Sequence, residues 1–206
     1  AVVWGSFQAL AAPRLKGLVA YSTVAQLGYL FLAFPVMLDP ATHLLGREAA
    51  LYFAVSHALA KAAAFLAAGM LLWAVSTDRV EALGTVLPHF PVTTAAFAVA
   101  GVSLIGLPPT GGFVAKWLLV EGMIAGGYWV GLAVIAAGTF LAAGYVFRVL
   151  VHIFRDPADP EPLASLRRTP DPRMEWTSLA LALAALIMGF LAPVLEPVLQ
   201  ATGSAL

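Results

Sequence analysis

The chain has 206 residues, 61% of them hydrophobic and 11% charged, with a mean hydropathy of +0.91; a soluble domain is nearer ~45–50% apolar and ~25% charged. This is the composition of a membrane protein, and its eleven basic residues balance its eleven acidic ones, so no net field draws in nucleic acid or an acidic substrate. With no cysteine, the chain forms no disulfide and holds no zinc or iron–sulfur cluster through thiolates; it is read as carrying no cofactor of its own.

Residues 1–12 read as the tail of a transmembrane helix already under way, because the chain opens on Ala1 with no basic region ahead of its apolar run. An N-terminal part is therefore expected to precede it. A span needs ~20 predominantly apolar residues, and such spans are expected at 15–37, 49–75 and 128–154, with a last one at 176–199. Breakers fill the connections: Asp39-Pro40, the stretch 78–91, and a Pro-rich charged loop at 155–175. Residues 13–154 form the main transmembrane domain.

Residues 92–126 are too many for one straight span and too few for two with a turn. Gly106-Leu107-Pro108-Pro109-Thr110-Gly111-Gly112 interrupts them. Proline removes a backbone donor and clashes with the preceding turn, and glycine permits unwound backbone, so the segment reads as two half-helices joined by a break. A re-entrant hairpin or two thin spans are the alternatives, and charge placement decides between them. If the segment crosses once, Arg14, Lys16, Arg79, Arg155, Arg167, Arg168 and Arg173 share one side and only Arg47 faces the other; if it crosses twice, the split is three against five. The positive-inside rule selects the single crossing, with the basic side cytoplasmic and the C-terminus outside. The expected fold is all-α, a polytopic transmembrane helix bundle of about five spans, one of them discontinuous at 106–112.

Three basic residues fall inside spans: Lys61, Lys116 and Arg148. Arg148 lies in the last turns of its span, where a long side chain can snorkel to the interface. Lys61 is mid-span, and His57 precedes it by four residues on the same helical face, so the two groups are placed to exchange a proton. Lys116 lies about a turn beyond Pro108-Pro109, beside unwound backbone near the membrane midplane, as in transporter ion sites. A lysine at the centre of a span costs ~2.5–3.5 kcal/mol, which argues against an idle one. In a low-dielectric site, an amine that alternates with its ammonium form loads and releases a proton, and histidine is suited to the same task.

Other polar positions carry weaker signals. Glu121, five residues after Lys116, projects from a different helical face, as a candidate proton exit or a solvated terminus. Tyr21, Ser22, Thr23 and Gln26 form a polar run inside an apolar span, and Ser103 precedes the break. Such groups line a wet path or hydrogen-bond helices to one another, the second use being the commoner.

The strings themselves are familiar. Leu15-Lys16-Gly17-Leu18-Val19-Ala20-Tyr21-Ser22-Thr23-Val24-Ala25-Gln26-Leu27-Gly28-Tyr29 resembles the signature D-[IL]-K-R-x-L-A-Y-S-S/T-x-x-Q-x-G-Y of the proton-translocating antiporter-like subunits. This family is shared by respiratory complex I (M and N types), multisubunit sodium/proton antiporters (D type) and membrane-bound hydrogenases. Ser56-His57-Ala58-Leu59-Ala60-Lys61-Ala62-Ala63-Ala64-Phe65-Leu66 is similar to its H-A-x-x-K-A-x-L-F-L helix. Ser103-Leu104-Ile105-Gly106-Leu107-Pro108-Pro109 with Gly112-Phe113-Val114-Ala115-Lys116 is similar to its S-L-x-G-L-P-P-x-x-G-F-x-x-K break.

The resemblance implies a proton path built from two inverted repeats, each with a broken helix, joined by hydrated lysines, histidines and glutamates. It puts Lys116 on the broken-helix lysine of the second repeat, Lys61 and His57 on the connecting residues, and Lys16 at the head of the signature helix. Arg14 stands where the family has an acid and Gly17 where it has an arginine, which argues against a fixed ion pair there and leaves Lys16 the alternative of an interface anchor.

The functional expectation is a non-catalytic, proton-translocating membrane subunit of a multisubunit complex in a bacterial or archaeal plasma membrane. Its implied partners are the other membrane subunits, protons and the lipid bilayer. An NADH–quinone oxidoreductase or hydrogenase-like machine would add peripheral iron–sulfur and flavin subunits, whereas an antiporter would add sodium ions. The alternative is a non-conducting scaffold or a truncated, inactive copy. A soluble-substrate enzyme has least support, since no nucleophile–base pair, metal cluster or phosphate loop is visible.

Overall fold

A computed structural model of the chain describes residues 1–155 and 171–194. Among them are the α-helices α1 (Val2–Ala11), α2 (Leu15–Leu38), α3 (His43–Val75), α4 (Pro91–Ile105), α5 (Gly111–Ala125), α6 (Trp129–Ile153) and α7 (Pro172–Phe190), with a short 3₁₀ helix at Val80–Thr85. Arg167, Arg168 and the 195–199 end of the expected last span lie outside the described residues. Four of the described helices, α2, α3, α6 and α7, are long and apolar enough to cross a membrane. Large apolar side chains such as Trp4, Phe31, Trp129 and Phe140 stand on the outside, as they do where the surrounding solvent is hydrocarbon.

The bundle is organised around α3, which packs against α2, α4, α5 and α7. Its alanines explain why so many neighbours fit: Ala60, Ala63 and Ala64 form one buried cluster with Ala100 of α4 and Ala182 and Ala185 of α7. Small side chains let helix backbones approach closely, the usual means of helix association in lipid.

Contacts along α3 give the course of the 91–125 segment. Thr93 Oγ1 in α4 lies 3.9 Å from Met70 Sδ, Gly111 at the start of α5 lies against Ser56, and Gly122 lies against Leu45. The contacts on α3 therefore run steadily from its C-terminal to its N-terminal end.

Two boundaries and one side chain differ from expectation. The third helix starts at His43, taking in Arg47 and Glu48. The last starts at Pro172 instead of 176, because Asp171 caps it by accepting from the Arg173 amide (2.9 Å) and proline suits the first helical position. Glu175 thereby becomes a first-turn residue of a helix. Arg148 turns inward instead of snorkelling: its Nη1 donates to Leu10 O (2.6 Å) and Ala12 O (2.8 Å), closing the C-terminal end of α1.

Gly189 of α7 sits on the break, where an added Cβ would overlap the Pro109 carbonyl oxygen. Backbone cannot rotate away, so Gly189→Ala should cost ~1–3 kcal/mol by overpacking and lower the Tm of the purified full-length protein. Gly69→Ala, at a helical glycine with nothing within 4 Å of the new methyl, should leave Tm unchanged or raise it.

Candidate functional site

The site begins with the way α4 ends. Gly106 takes φ +83°, a left-handed conformation that glycine adopts without strain. Its N–H donates to Ser103 O (3.1 Å), and that of Leu107 to Val102 O (3.2 Å), the paired bonds of a Schellman ending. The last two carbonyls, of Leu104 and Ile105, are left to find donors elsewhere. Pro108 and Pro109 carry no N–H and cannot supply one. Gln26 Nε2 of α2 donates to Leu104 O (2.8 Å). Lys116 Nζ reaches back from α5 to Ile105 O (2.8 Å) and, at the limit of a hydrogen bond, Leu104 O (3.5 Å). An ammonium thus stands at the negative end of the α4 dipole.

The restart is equally specified. Thr110 caps α5, accepting from the Phe113 amide (3.3 Å) and donating to Leu107 O (2.7 Å). Gly112 packs against the last turn of α4, where a Cβ would collide with the Ser103 carbonyl oxygen. This contact keeps α5 close enough for Lys116 to reach back.

Lys116 is 6% exposed and Lys61 5%. Besides its carbonyls, Lys116 donates to Thr139 Oγ1 of α6 (3.3 Å) and stands over the Tyr29 ring, 4.5 Å from its centroid. Lys61 crosses to α2, donating to Val19 O (3.0 Å) and to Ser22 Oγ, which itself donates to Val19 O (2.8 Å). Neither buried lysine is paired with a carboxylate among the described residues; the pairs Arg14–Asp78 and Arg79–Glu81 lie elsewhere, exposed or partly exposed. Carbonyl dipoles, a hydroxyl and aromatic rings hold both ammonium groups.

A cavity of about 10 Å³ adjoins Lys116, lined also by Gln26, Ser56, His57, Ser103 and Gly112. That is close to the space one water requires. Ser56 Oγ, His57 Nδ1 and Ser103 Oγ are buried there without a hydrogen-bond partner among the described residues, and the His57 ring stacks on Phe53 at 5.9 Å. His57 therefore lies in the surroundings of Lys116 and also within electrostatic reach of Lys61 on its own helix face, while the Lys61 ammonium hydrogen-bonds to α2.

The structure gathers Lys116, His57, Gln26, Ser103 and Gly112 round one cavity and joins Lys61 to Ser22. Thr23 bonds only within its own helix, to Val19 O (3.1 Å). Tyr21 and Lys16 are exposed on α2, and Glu121 lies on an exposed face, accepting from Trp117 Nε1 (2.6 Å). Sequence reasoning missed Tyr29, Ser56, Thr139 and Tyr145, the last accepting from Gln26 (3.4 Å). Two of them left a signal: Tyr29 follows Gln26 by three residues and so shares its face, and Thr139 is the only threonine of an apolar span.

A bundle of this kind, with a discontinuous segment and a buried ammonium at the discontinuity, defines a multi-pass membrane protein of the antiporter-like class. The chain belongs to the NADH:quinone oxidoreductase/Mrp antiporter transmembrane family, whose sequence model matches residues 1–142. It is 36% identical over 186 residues to NADH-quinone oxidoreductase subunit N of Desulforudis audaxviator (strain MP104C), covering 90% of this chain and 36% of that one. A chain of respiratory complex I from Thermus thermophilus superposes with a TM-score of 0.74 at 29% identity, over 95% of this chain and 42% of that one. The fold is also that of a chain in the Mrp complex from Dietzia sp. DQ12-45-1b, with a TM-score of 0.80 at 22% identity over 95% and 43% of the two chains. This chain spans less than half the length of each of these relatives.

Replacing Gln26 by leucine deprives the buried Leu104 O of its short hydrogen bond, at a cost of ~1–3 kcal/mol. Gln26→Leu should lower the Tm of the full-length protein clearly, whereas Thr23→Val, which loses one bond inside a single helix, should barely move it.

Proposed function

We propose that this chain forms one half of a transmembrane proton path in a membrane subunit of a multisubunit complex, with Lys116, His57 and Lys61 as the groups that bind and pass on the proton. It acts as a second repeat of the antiporter-like architecture, α4 and α5 together making one discontinuous span. The ordered progress of that segment along α3 supports a single crossing, which gives five spans with α2, α3, α6 and α7. Arg14, Lys16, Arg79, Arg155 and Arg173 then share one end of the bundle and Arg47 the other, so the basic end faces the cytoplasm.

The observation that carries the reading is the pairing of Lys116 with the orphan carbonyls of a broken helix instead of with a carboxylate. A carboxylate partner would hold the proton and leave a buried, uncompensated anion once it departed. Carbonyl dipoles favour the ammonium yet tolerate the neutral amine. When Lys116 gives up its proton, the imidazole nitrogen of His57 in the shared cavity receives it, with the Ser56 and Ser103 hydroxyls placed as relays. Lys61 likewise has a carbonyl and a hydroxyl as partners, Val19 O and Ser22 Oγ, both on the unbroken helix α2.

Moving a charge across a membrane costs ~2.3 kcal/mol per 100 mV, so the drive comes from partner subunits. Relatives of both kinds exist, NADH-quinone oxidoreductases and Mrp assemblies, and the subunits that co-purify with the full-length protein identify which drive applies. Iron–sulfur and flavin subunits mark a redox pump, and small membrane subunits alone mark a cation/proton antiporter.

Lys116→Ala should lower proton translocation in native membrane vesicles by roughly tenfold or more, the scale of losing a positioned acid–base group, with assembly intact. Lys116→Arg separates this from a structural cap, because a guanidinium keeps the cation at α4 but does not deprotonate. It should assemble normally and still fail to translocate; normal transport by Lys116→Arg would sink the proposal.

A further inference from the structure

Glu175 is used by nothing so far described. It lies in the first turn of α7 and is 9% exposed, while Asp171, Pro172, Arg173, Met174, Trp176 and Thr177 around it are all exposed. An acid needed only for solubility would stand at one of those six positions. Instead, the carboxylate is on the inward stripe of α7, which continues through Ser178, Ala182 and Ala185. It accepts a short hydrogen bond (2.6 Å) from Thr93 Oγ1, whose residue is fully buried in the first turn of α4.

We propose that Glu175 is an additional proton-binding site, a carboxylate that exchanges protons with the aqueous side bearing the α6–α7 connection and stands at the opposite end of half-helix α4 from Lys116. The inference rests on the proton-path reading above. α4 has 15 residues, about 22 Å of helix, with a carboxylate at its positive end and an ammonium at its negative end, each opposing the dipole. A change of charge at either end alters the field along the same helix.

Among the described residues, Glu175 forms no ion pair. Residues 67–75 of α3 and 91–100 of α4 contain no ionisable side chain, and His89, four residues ahead of Thr93, is exposed. On α7 itself, Asp171 and Arg173 are the ionisable neighbours, and both are exposed. When a proton arrives from the aqueous side, one carboxylate oxygen takes it and the group goes from −1 to neutral, while Thr93 continues to donate to Oε1. One turn deeper on the same stripe, Ser178 Oγ donates to Ala63 O (2.9 Å), two residues from Lys61. Below Ser178 the stripe is apolar, with Ala182 and Ala185 packed against Ala60, Ala63 and Ala64 of α3.

Glu175→Gln preserves shape and still accepts from Thr93, but binds no proton. In vesicles containing the full-length protein within its complex, it should lower proton translocation by roughly tenfold or more with assembly intact, and Glu175→Asp should restore transport with a displaced pH profile. A structural cap would leave both transport and pH profile unmoved. Unchanged transport in Glu175→Gln overturns the inference. If Lys116→Ala in the same vesicles has lost transport, the proton-path reading survives; if it too transports normally, both fall. Should Glu175→Gln not assemble, infrared difference spectra of the unaltered protein decide: a pH-dependent carboxyl band that shifts in Thr93→Val supports the site, and its absence removes it.

Discussion

Two carbonyl oxygens, those of Leu104 and Ile105, set the requirement that the rest of this bundle meets. A helix that stops inside a membrane protein frees carbonyls that water cannot reach, each costing several kcal/mol if left alone. The Schellman turn at Gly106 satisfies the two before them and then runs out of donors, since Pro108 and Pro109 have none to give. Donors must come from neighbours: an amide from α2 and an ammonium from α5. Gln26, Lys116 and the close approach at Gly112 follow from that one shortage.

The same principle operates elsewhere with a different cation. At the end of α1, Leu10 O and Ala12 O are held by Arg148, whose guanidinium is permanently charged. At the end of α4 the cap is a lysine, whose amine can exist without its proton. A fixed closure and a reversible one thus use the same dipole chemistry and differ only in whether the cation can be discharged. The exposed pairs Arg14–Asp78 and Arg79–Glu81 belong to neither kind; lying in solvent, they contribute little to stability.

Close packing makes these short polar contacts attainable. The alanines of α3 and the glycines at 111, 112 and 189 remove the side-chain layer that normally separates helix backbones. Tyr52 of α3 hydrogen-bonds Met188 O, and Ser178 of α7 bonds Ala63 O. Such bonds are possible only between helices already in near contact. A bundle spaced by leucines would have left Lys61 and Lys116 too far from the carbonyls they serve.

Much of this was legible in the residues. Apolar runs gave the described helix ends to within six positions, the Gly106–Pro108–Pro109 string gave the break, and uncompensated charge in hydrocarbon singled out Lys61 and Lys116, because these depend on local chemistry and on the solvent around the chain. The partners of those charges were not legible. Whether Gln26 meets Leu104 or lipid, whether His57 reaches the Lys116 cavity, and whether Glu121 or Glu175 turns inward depend on helix rotation and on which helices touch. The sequence by itself therefore determined the spans, the break and the costly charges; only the tertiary structure decided which carbonyls and hydroxyls hold them, because that choice is made by backbones distant in the chain and brought together by packing.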